Sequence, residues 1–314
     1  MAEMKKIATR DAYGQTLVEL GNEREDIVVM DADLAAATKT GMFKKAHPDR
    51  FFNAGIAEGN MIGVAAGLAA AGKTVFASSF AMFAAGRAFE QIRNSVAYPR
   101  LNVKIAASHA GISVGEDGAT HQCCEDIGIM RTIPDMVILN PADGPEAAAV
   151  RAAADYKGPV YLRLGRRAVQ VFNDEDVDFV IGKGKVMADG TDATIIATGL
   201  EVNEAVIAAE TLKKEGISVR VINMATIKPI DKDIILQAAA DTGAIVTAEE
   251  HNVIGGLGSA VAEVLCESGK PVPMFRVGVE DTFGRSGPAL ELLDLYGLTA
   301  PHIVEKVKAV LALK

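Results

Sequence analysis

The sequence has little that supports a secreted or membrane protein. It has no tryptophan, 5% aromatic residues and three cysteines in 314 residues. Cys123 and Cys124 are neighbours, and neighbouring cysteines rarely bridge each other, so with Cys266 they indicate reduced thiols rather than a disulfide framework. No apolar run is long enough to cross a bilayer, and the first residues, MAEMKKIATRDAYG, lack the apolar segment of a signal peptide. We therefore expect a cytoplasmic protein.

An excess of positive charge is also absent. The net charge is -9, which gives no sequence-wide basic surface for phosphate backbones or anionic lipids. Nucleic acids and membranes are therefore not expected partners. Hydrophobic residues make up 49% and charged residues 23%, a composition typical of a soluble globular protein that can bury a core.

The order of apolar segments predicts an α/β protein of two consecutive domains with mainly parallel sheets. Strand-like runs such as DIVVMDAD, NVKIAASH and PVYLRLGR alternate with helix-like stretches, and the alternation resumes from DATIIATGL onwards. An acidic, glycine-containing stretch separates the two series. We predict a first domain over residues 1–170, a linker over 171–187 and a smaller second domain over 188–314. The helical spacing of Ile303, Val307 and Val310 predicts a last helix that packs on the second domain.

Two segments of the first domain place chemical groups at the predicted ends of strands. Glu58 begins a helix built largely of Gly, Ala and Val, which we expect to be buried on most faces, with the carboxylate in its first turn. A plain helix-start acid is the alternative. Phe80 and Phe83 lie at a strand-to-helix junction. They are either core residues or a surface on which a flat heterocycle could stack.

A third segment, SHAGISVGEDGATHQ, carries His109, Asp117 and His121 between glycines. A glycine-rich loop after a strand leaves polar side chains free to converge. Histidines titrate near neutrality and suit proton transfer between hydroxyl and carbonyl oxygens. Metal ligation is the competing interpretation, but the spacing fits no known structural zinc site, so we predict no metal ligands in this chain.

Together these segments resemble a known family. NAGIAEGNM, the SSFAMF aromatic step, HAGISVGEDGATHQ, RTIPDMVILNPAD and LRLGR are similar in order and spacing to the pyrimidine-binding domain of transketolases and of deoxyxylulose-phosphate synthases. AEEHNVIGGLGSAVAE and DTFGRSGPALELLDLYGL resemble the C-terminal domain of the same families. The resemblance covers nearly the whole chain, and it is the combination of segments that is specific.

The resemblance implies a cofactor, thiamine diphosphate, and residues that bind it. Glu58 would hydrogen-bond the aminopyrimidine ring and favour the tautomer that accepts a proton from the reactive carbon. Phe80 and Phe83 would form the aromatic pocket of that ring, and Asp33 would approach the thiazolium side. The protein would position the cofactor and tune its protonation.

The resemblance also implies residues that contact the substrate. His109 and Arg166 would contact a sugar phosphate, Asp117 a substrate hydroxyl, and His121 the oxygens that change protonation, so that His109 and His121 join Glu58 as candidate catalytic residues. Arg10 resembles a further phosphate-binding arginine, and guanidinium groups donate paired hydrogen bonds to phosphate. The chain departs from the family at one phosphate-binding position. Ala37 stands where transketolases usually have a phosphate-binding serine, which leaves open whether Thr38 replaces that serine.

A larger departure is that the chain has no GDG motif, which in full-length members lies in an N-terminal domain that holds Mg²⁺ and the diphosphate. The resemblance therefore implies the C-terminal half of a split transketolase of the pentose phosphate pathway, active as an α2β2 heterotetramer with an N-terminal subunit. The β subunit of a 2-oxo acid dehydrogenase and a fragment similar to deoxyxylulose-phosphate synthase are alternatives within the same class. A non-catalytic regulatory subunit is the alternative of another class.

Overall fold

The computed structural model describes residues 5–174 and 178–314. Residues 1–4 of the predicted first domain and residues 175–177 of the predicted linker lie outside this range. The strands are β1 (Lys6–Ala8), β2 (Ile27–Asp31), β3 (Phe51–Asn53), β4 (Thr74–Phe80), β5 (Val103–Ser108), β6 (Val137–Leu139), β7 (Val160–Arg163), β8 (Ala168–Gln170), β9 (Lys185–Ala188), β10 (Ala193–Ala197), β11 (Val219–Asn223), β12 (Thr226–Lys228), β13 (Ile245–Asn252) and β14 (Met274–Val279).

Helices connect most of these strands. The α-helices are α1 (Thr9–Glu23), α2 (Ala35–Thr38), α3 (Thr40–Ala46), α4 (Glu58–Ala70), α5 (Phe89–Gln91), α6 (Asp126–Arg131), α7 (Ala148–Asp155), α8 (Glu201–Lys214), α9 (Lys232–Thr242), α10 (Leu257–Glu267), α11 (Ala289–Leu295) and α12 (Ala300–Leu311). Two π-helical segments, Met82–Arg87 and Ile92–Ala97, flank α5. No helix among the described residues has the length and apolar character that a membrane span requires.

The first domain is built on a seven-stranded sheet in the order β12-β6-β7-β5-β4-β2-β3. Every neighbouring pair from β6 to β3 is parallel, so these strands end at one edge of the sheet. The outer strand β12 is antiparallel to β6 and comes from the second half of the chain. The strands β2, β4, β5, β6 and β7 are buried on both faces, which explains why they appear in the sequence as nearly continuous apolar runs.

The second domain is built on a five-stranded sheet in the order β14-β13-β10-β11-β9. Only β9, at its outer edge, is antiparallel to its neighbour. In α12, Ile303, Val307 and Val310 are buried in the core of this domain, as their helical spacing predicts. The expectation of two consecutive α/β domains with mainly parallel sheets is thus confirmed, and the exact domain boundaries stay a prediction.

The helix α4 differs from the expectation in its burial. Met61, Ile62 and Ala65 pack into the core of the first domain, but Gly63, Val64 and Gly67 are exposed. The prediction that this helix is buried on most faces is therefore wrong, because the side of the helix that carries these three residues is exposed. The abundance of small residues made the helix look like core, although glycine and alanine fit an exposed face as well as a buried one.

Candidate functional site

The predicted site residues lie where the parallel strands of the first sheet end. Asp33 follows β2, Glu58 follows β3, His109 follows β5 and Arg166 follows β7, while Phe80 is the last residue of β4. Ligands of open α/β sheets bind at this edge because loops from neighbouring strands converge there. The order of the strands therefore brings together side chains that are far apart in the sequence.

Glu58 is buried, with 4% of its surface exposed, at the first turn of α4. The helix dipole stabilises a carboxylate at this position. The Ser79 hydroxyl lies 3.4 Å from its Oε1, and Arg87 Nη1 lies 3.3 Å from the same oxygen. The guanidinium carbon of Arg87 also lies 4.0 Å from the centre of the Phe83 ring. Glu58 thus has a charge partner and a hydroxyl partner beside an aromatic ring.

Phe80 and Phe83 form one surface with the two predicted histidines. The Phe80 ring stacks on the His109 ring, with 3.8 Å between centres and 26° between planes. The two phenylalanine rings are 5.9 Å apart at 18°, and Phe83 meets the edge of His121 at 5.2 Å. Phe80 is 7% exposed and Phe83 is half-buried, so the accessible part of this aromatic surface lies mainly on Phe83.

His109 is held between two neighbours in a left-handed backbone conformation, with φ of 57°. Its Nε2 lies 3.0 Å from Arg10 Nη1, and its Nδ1 lies 2.9 Å from the Ser108 hydroxyl. Because a guanidinium can only donate, Nε2 accepts and the Nδ1 proton points to Ser108. Burial, with the charges of Arg10 and Arg166, lowers the pKa of His109 to about 3. The ring is therefore neutral at neutral pH, and Arg10 occupies its lone pair.

We expect the His109 ring to stay neutral from pH 8 to pH 5. The pKa of His109 in the folded chain is about 3, below the ordinary value of 6.5. Between these two pH values the ring is protonated in the unfolded chain and neutral in the folded one. The neutral His109 ring therefore contributes fully to the free energy of unfolding above pH 6.5, and this contribution is lost as the pH falls from 6.5 towards 3. The measurement is ¹⁵N NMR of histidine-labelled protein, with His109→Gln to assign the signals. A His109 signal that titrates near pH 6.5 would contradict this environment.

The glycine-rich segment that follows β5 carries His109, Asp117 and His121; we call residues 109–122 the histidine loop. Thr120 Oγ1 lies 2.9 Å from His121 Nδ1, and the His121 ring makes T-shaped contacts with Phe80 and Phe83, with 6.3 and 5.2 Å between ring centres. Asp117 lies on an exposed turn of the loop, 3.9 Å from Arg166 Nη1. The loop thus places His121 against the aromatic surface and Asp117 near Arg166.

Two arginines supply positive charge at this edge. Arg10, in the first turn of α1, donates to the carbonyl of Ala37 at 3.1 Å. Arg166 donates to the carbonyl of Val114 and lies 3.6 Å from Glu116 Oε2. Because their charges both lower the pKa of His109, the two guanidiniums act on the same region. Such a pair suits a phosphate group.

Asp33 and Thr38 lie in the segment that follows β2, whose Ala37 carbonyl accepts the hydrogen bond from Arg10. Asp33 has φ of 66° and is exposed, and its Oδ1 accepts from the Asn53 side chain at 2.9 Å. The Thr38 hydroxyl is fully buried and donates to Asp31 Oδ2 at 2.7 Å. Thr38 therefore does not present its hydroxyl to a ligand in this conformation, and the segment faces Arg10 with the Ala37 carbonyl instead.

Sequence reasoning missed Arg87 and Ser79. Arg87 ends the π-helical segment Met82–Arg87, four residues after Phe83, at the spacing that places two side chains on the same helical face. That spacing could have indicated the contact. Among the described residues, no group of three or more His, Cys, Asp or Glu side chains could hold a metal ion.

The sequence matches two family models: the transketolase pyrimidine-binding domain over residues 5–171 and the transketolase C-terminal domain over residues 182–303. A protein of Methanocaldococcus jannaschii, provisionally named a transketolase C-terminal section, is 57% identical over 95% of this chain and 94% of its own length. A 6-deoxy-6-sulfo-D-fructose transketolase subunit of Clostridium is 47% identical over 94% and 92%.

A solved structure described as a split gene transketolase in an inactive β4 tetramer is also similar. It is 53% identical, has a TM-score of 0.90, and the match covers 99% of this chain and 100% of that one. Human transketolase is 40% identical over 98% of this chain, which spans 49% of the human enzyme. The chain thus matches some relatives over nearly their full length and others over about half of it.

Proposed function

The chain belongs to the transketolase family, and from this premise we propose that it is the C-terminal subunit of a split transketolase. It would transfer a two-carbon ketol unit from a ketose phosphate to an aldose phosphate when an N-terminal subunit is bound. The observation that carries the proposal is the convergence of Glu58, the Phe80–Phe83 surface and the histidine loop at one sheet edge.

The residues at this edge fit the pyrimidine half of thiamine diphosphate. A buried carboxylate lies at a helix start beside a pair of aromatic rings, which suits a flat ring that carries hydrogen-bonding nitrogens. When bound, the cofactor supplies a nucleophilic carbon and an electron sink for carbon–carbon bond cleavage. Glu58 would hydrogen-bond the pyrimidine, Phe80 and Phe83 would contact its face, and Asp33 would lie towards the thiazolium.

The remaining residues would act on the sugar. Arg10 and Arg166 would bind the phosphate, and Asp117 a hydroxyl. His109 would donate no proton through Nε2 while Arg10 occupies that atom, so we assign it to substrate binding and orientation. His121 would then exchange protons with the substrate oxygens during cleavage and transfer. The sulfo-sugar specificity named for the Clostridium relative shows that the sugar itself varies among relatives.

The second subunit would supply the diphosphate and Mg²⁺ site. The sequence has no GDG motif, and no metal-binding group occurs among the residues that the structure describes. The similar split gene protein is described as an inactive β4 tetramer, which supports dependence on another subunit. We propose an α2β2 assembly of the pentose phosphate pathway in the cytoplasm.

We expect no transfer activity from the chain alone and robust activity after addition of the GDG-bearing subunit of the same organism. The assay contains thiamine diphosphate, Mg²⁺, xylulose 5-phosphate and ribose 5-phosphate, and it follows release of the three-carbon aldehyde phosphate. Turnover without the second subunit would contradict the split enzyme. A mixture that is inactive on sugar phosphates but consumes a 2-oxo acid would favour the dehydrogenase alternative.

A further inference from the structure

The second domain contributes none of the predicted site residues, yet it contacts the histidine loop at several points. The loop is closed at its base by the Gly111 amide, which donates to the Cys123 carbonyl at 2.8 Å. Near the start of the loop, Ile112 is fully buried among core residues of the second domain. The loop therefore belongs to the first domain by sequence and is packed by the second.

Glu250, in β13, makes the first polar contact. Its Oε1 accepts a hydrogen bond from the Ser113 amide in the loop. Gly111 lies so close to this carboxylate that a Cβ at that position would overlap it. Glu250 is held in turn by Arg163, which donates to its backbone carbonyl at 2.9 Å. The carboxylate thus fixes the start of the loop from outside the first domain.

Gln122, at the end of the loop, makes the second contact. Its buried carboxamide donates to the carbonyls of Ile112, at 3.1 Å, and of Arg285, at 3.0 Å. The oxygen of the same carboxamide lies against Gly284, where an added Cβ would overlap it. One side chain therefore joins the two ends of the histidine loop to the segment that precedes α11 in the second domain.

We propose that the second domain positions the substrate-binding side chains of the histidine loop, with Glu250 and Gln122 as the positioning residues. The proposal rests on the proposed function, because Asp117 and His121 must contact the sugar for their position to matter. Both residues lie between the two held points of the loop. A displacement of about 1 Å in a reacting group can cost on the order of 100-fold in rate.

Gly284→Ala tests the contact between Gln122 and the segment that precedes α11. The added methyl overlaps the Gln122 carboxamide and the Cδ1 end of Ile112, which both belong to the histidine loop. In the complete α2β2 enzyme we expect kcat/KM for xylulose 5-phosphate to fall about 10- to 100-fold. We expect KM to rise as well, with the affinity for thiamine diphosphate unchanged. Gly287→Ala is the matched control, because its methyl meets the end of the Leu292 side chain rather than the loop.

A double-mutant cycle separates positioning from general destabilisation. In the Gln122→Ala background the added methyl meets only the flexible Cδ1 end of Ile112, so Gly284→Ala should cause a much smaller further loss than it does in wild type. Full, additive losses would overturn the assignment of Gln122. Similarly, Glu250→Gln keeps an acceptor for the Ser113 amide, and it should retain about tenfold more activity than Glu250→Ala. Equal losses in these two variants would overturn the assignment of Glu250.

Amide hydrogen exchange of residues 111–122 provides a test that does not depend on activity. The Glu250→Ala and Gly284→Ala variants should exchange faster in this loop than wild type and Gly287→Ala, while the first sheet is unchanged. If the wild-type assembly has no transketolase activity, the proposed function fails, and the exchange data still decide whether the second domain holds the loop. Unchanged exchange and unchanged kinetics in an active enzyme would overturn the positioning role.

Discussion

Glu58→Gln is expected to lower the turnover of the assembled enzyme by about two to four orders of magnitude, the scale for removal of an acid–base group. Glutamine has the shape of glutamate and can still accept from the Ser79 hydroxyl. It cannot carry the negative charge that would favour the reactive tautomer of the pyrimidine. The fold should change little, because the helix dipole contributes about 0.3–1 kcal/mol for such a carboxylate.

The measurement is steady-state kinetics of the variant with its N-terminal subunit, next to its thermal unfolding midpoint. Glu90→Gln is the control, since it removes an exposed carboxylate from the neighbouring helix α5. Turnover of Glu58→Gln within about threefold of wild type would show that another carboxylate performs this role.

Arg163→Met is expected to lower the free energy of unfolding by about 3–5 kcal/mol, because it leaves a buried carboxylate without its charge partner. Arg163 Nε lies 2.8 Å from Asp126 Oδ2, and both side chains are almost completely buried. Burial raises the pKa of Asp126, but the Arg163 charge, the neighbouring His251 and the hydrogen bonds from Arg163 and Tyr161 together outweigh it, so the pKa lies below its ordinary value. The Tyr161 hydroxyl donates to the same carboxylate oxygen at 2.8 Å.

Urea unfolding at pH 7 measures this loss. Arg151→Met is the matched control, since Arg151 pairs with Glu19 and Glu23 at the surface, where water screens the interaction. Adding Asp126→Leu to Arg163→Met should restore part of the lost stability, because two apolar groups then replace a broken pair. Equal effects of Arg163→Met and Arg151→Met would show that the buried pair does not contribute as described.

The sequence predicted the strands and the loops at their ends because each is a local pattern. Buried parallel strands are short apolar runs, and His109, Asp117 and His121 lie within one glycine-rich segment. The order of strands then explains how Glu58 comes near this segment, although 51 residues separate Glu58 from His109 in the chain. Neither burial on one face of α4 nor the pairing of Thr38 with Asp31 could be predicted, since both depend on tertiary packing.

Contacts between the two domains were the other part that the sequence did not reveal. Arg163 donates to the carbonyl of Glu250, which is 87 residues away, and β12 joins the sheet of the first domain from beyond the linker. Such pairs leave no periodic signal in either segment. In LRLGR, Arg163 stands between two leucines at the end of β7, but nothing in the sequence identified it as buried or indicated its partner.

The most direct test of the split enzyme is a titration of the N-terminal subunit into a fixed amount of this chain, with transfer from xylulose 5-phosphate to ribose 5-phosphate as the signal. Activity should rise from zero and saturate at one N-terminal subunit per chain, as an α2β2 assembly requires. The same titration with Glu58→Gln should saturate at the same ratio with far lower activity. Activity that is present without the added subunit, or that does not depend on its amount, would contradict the account.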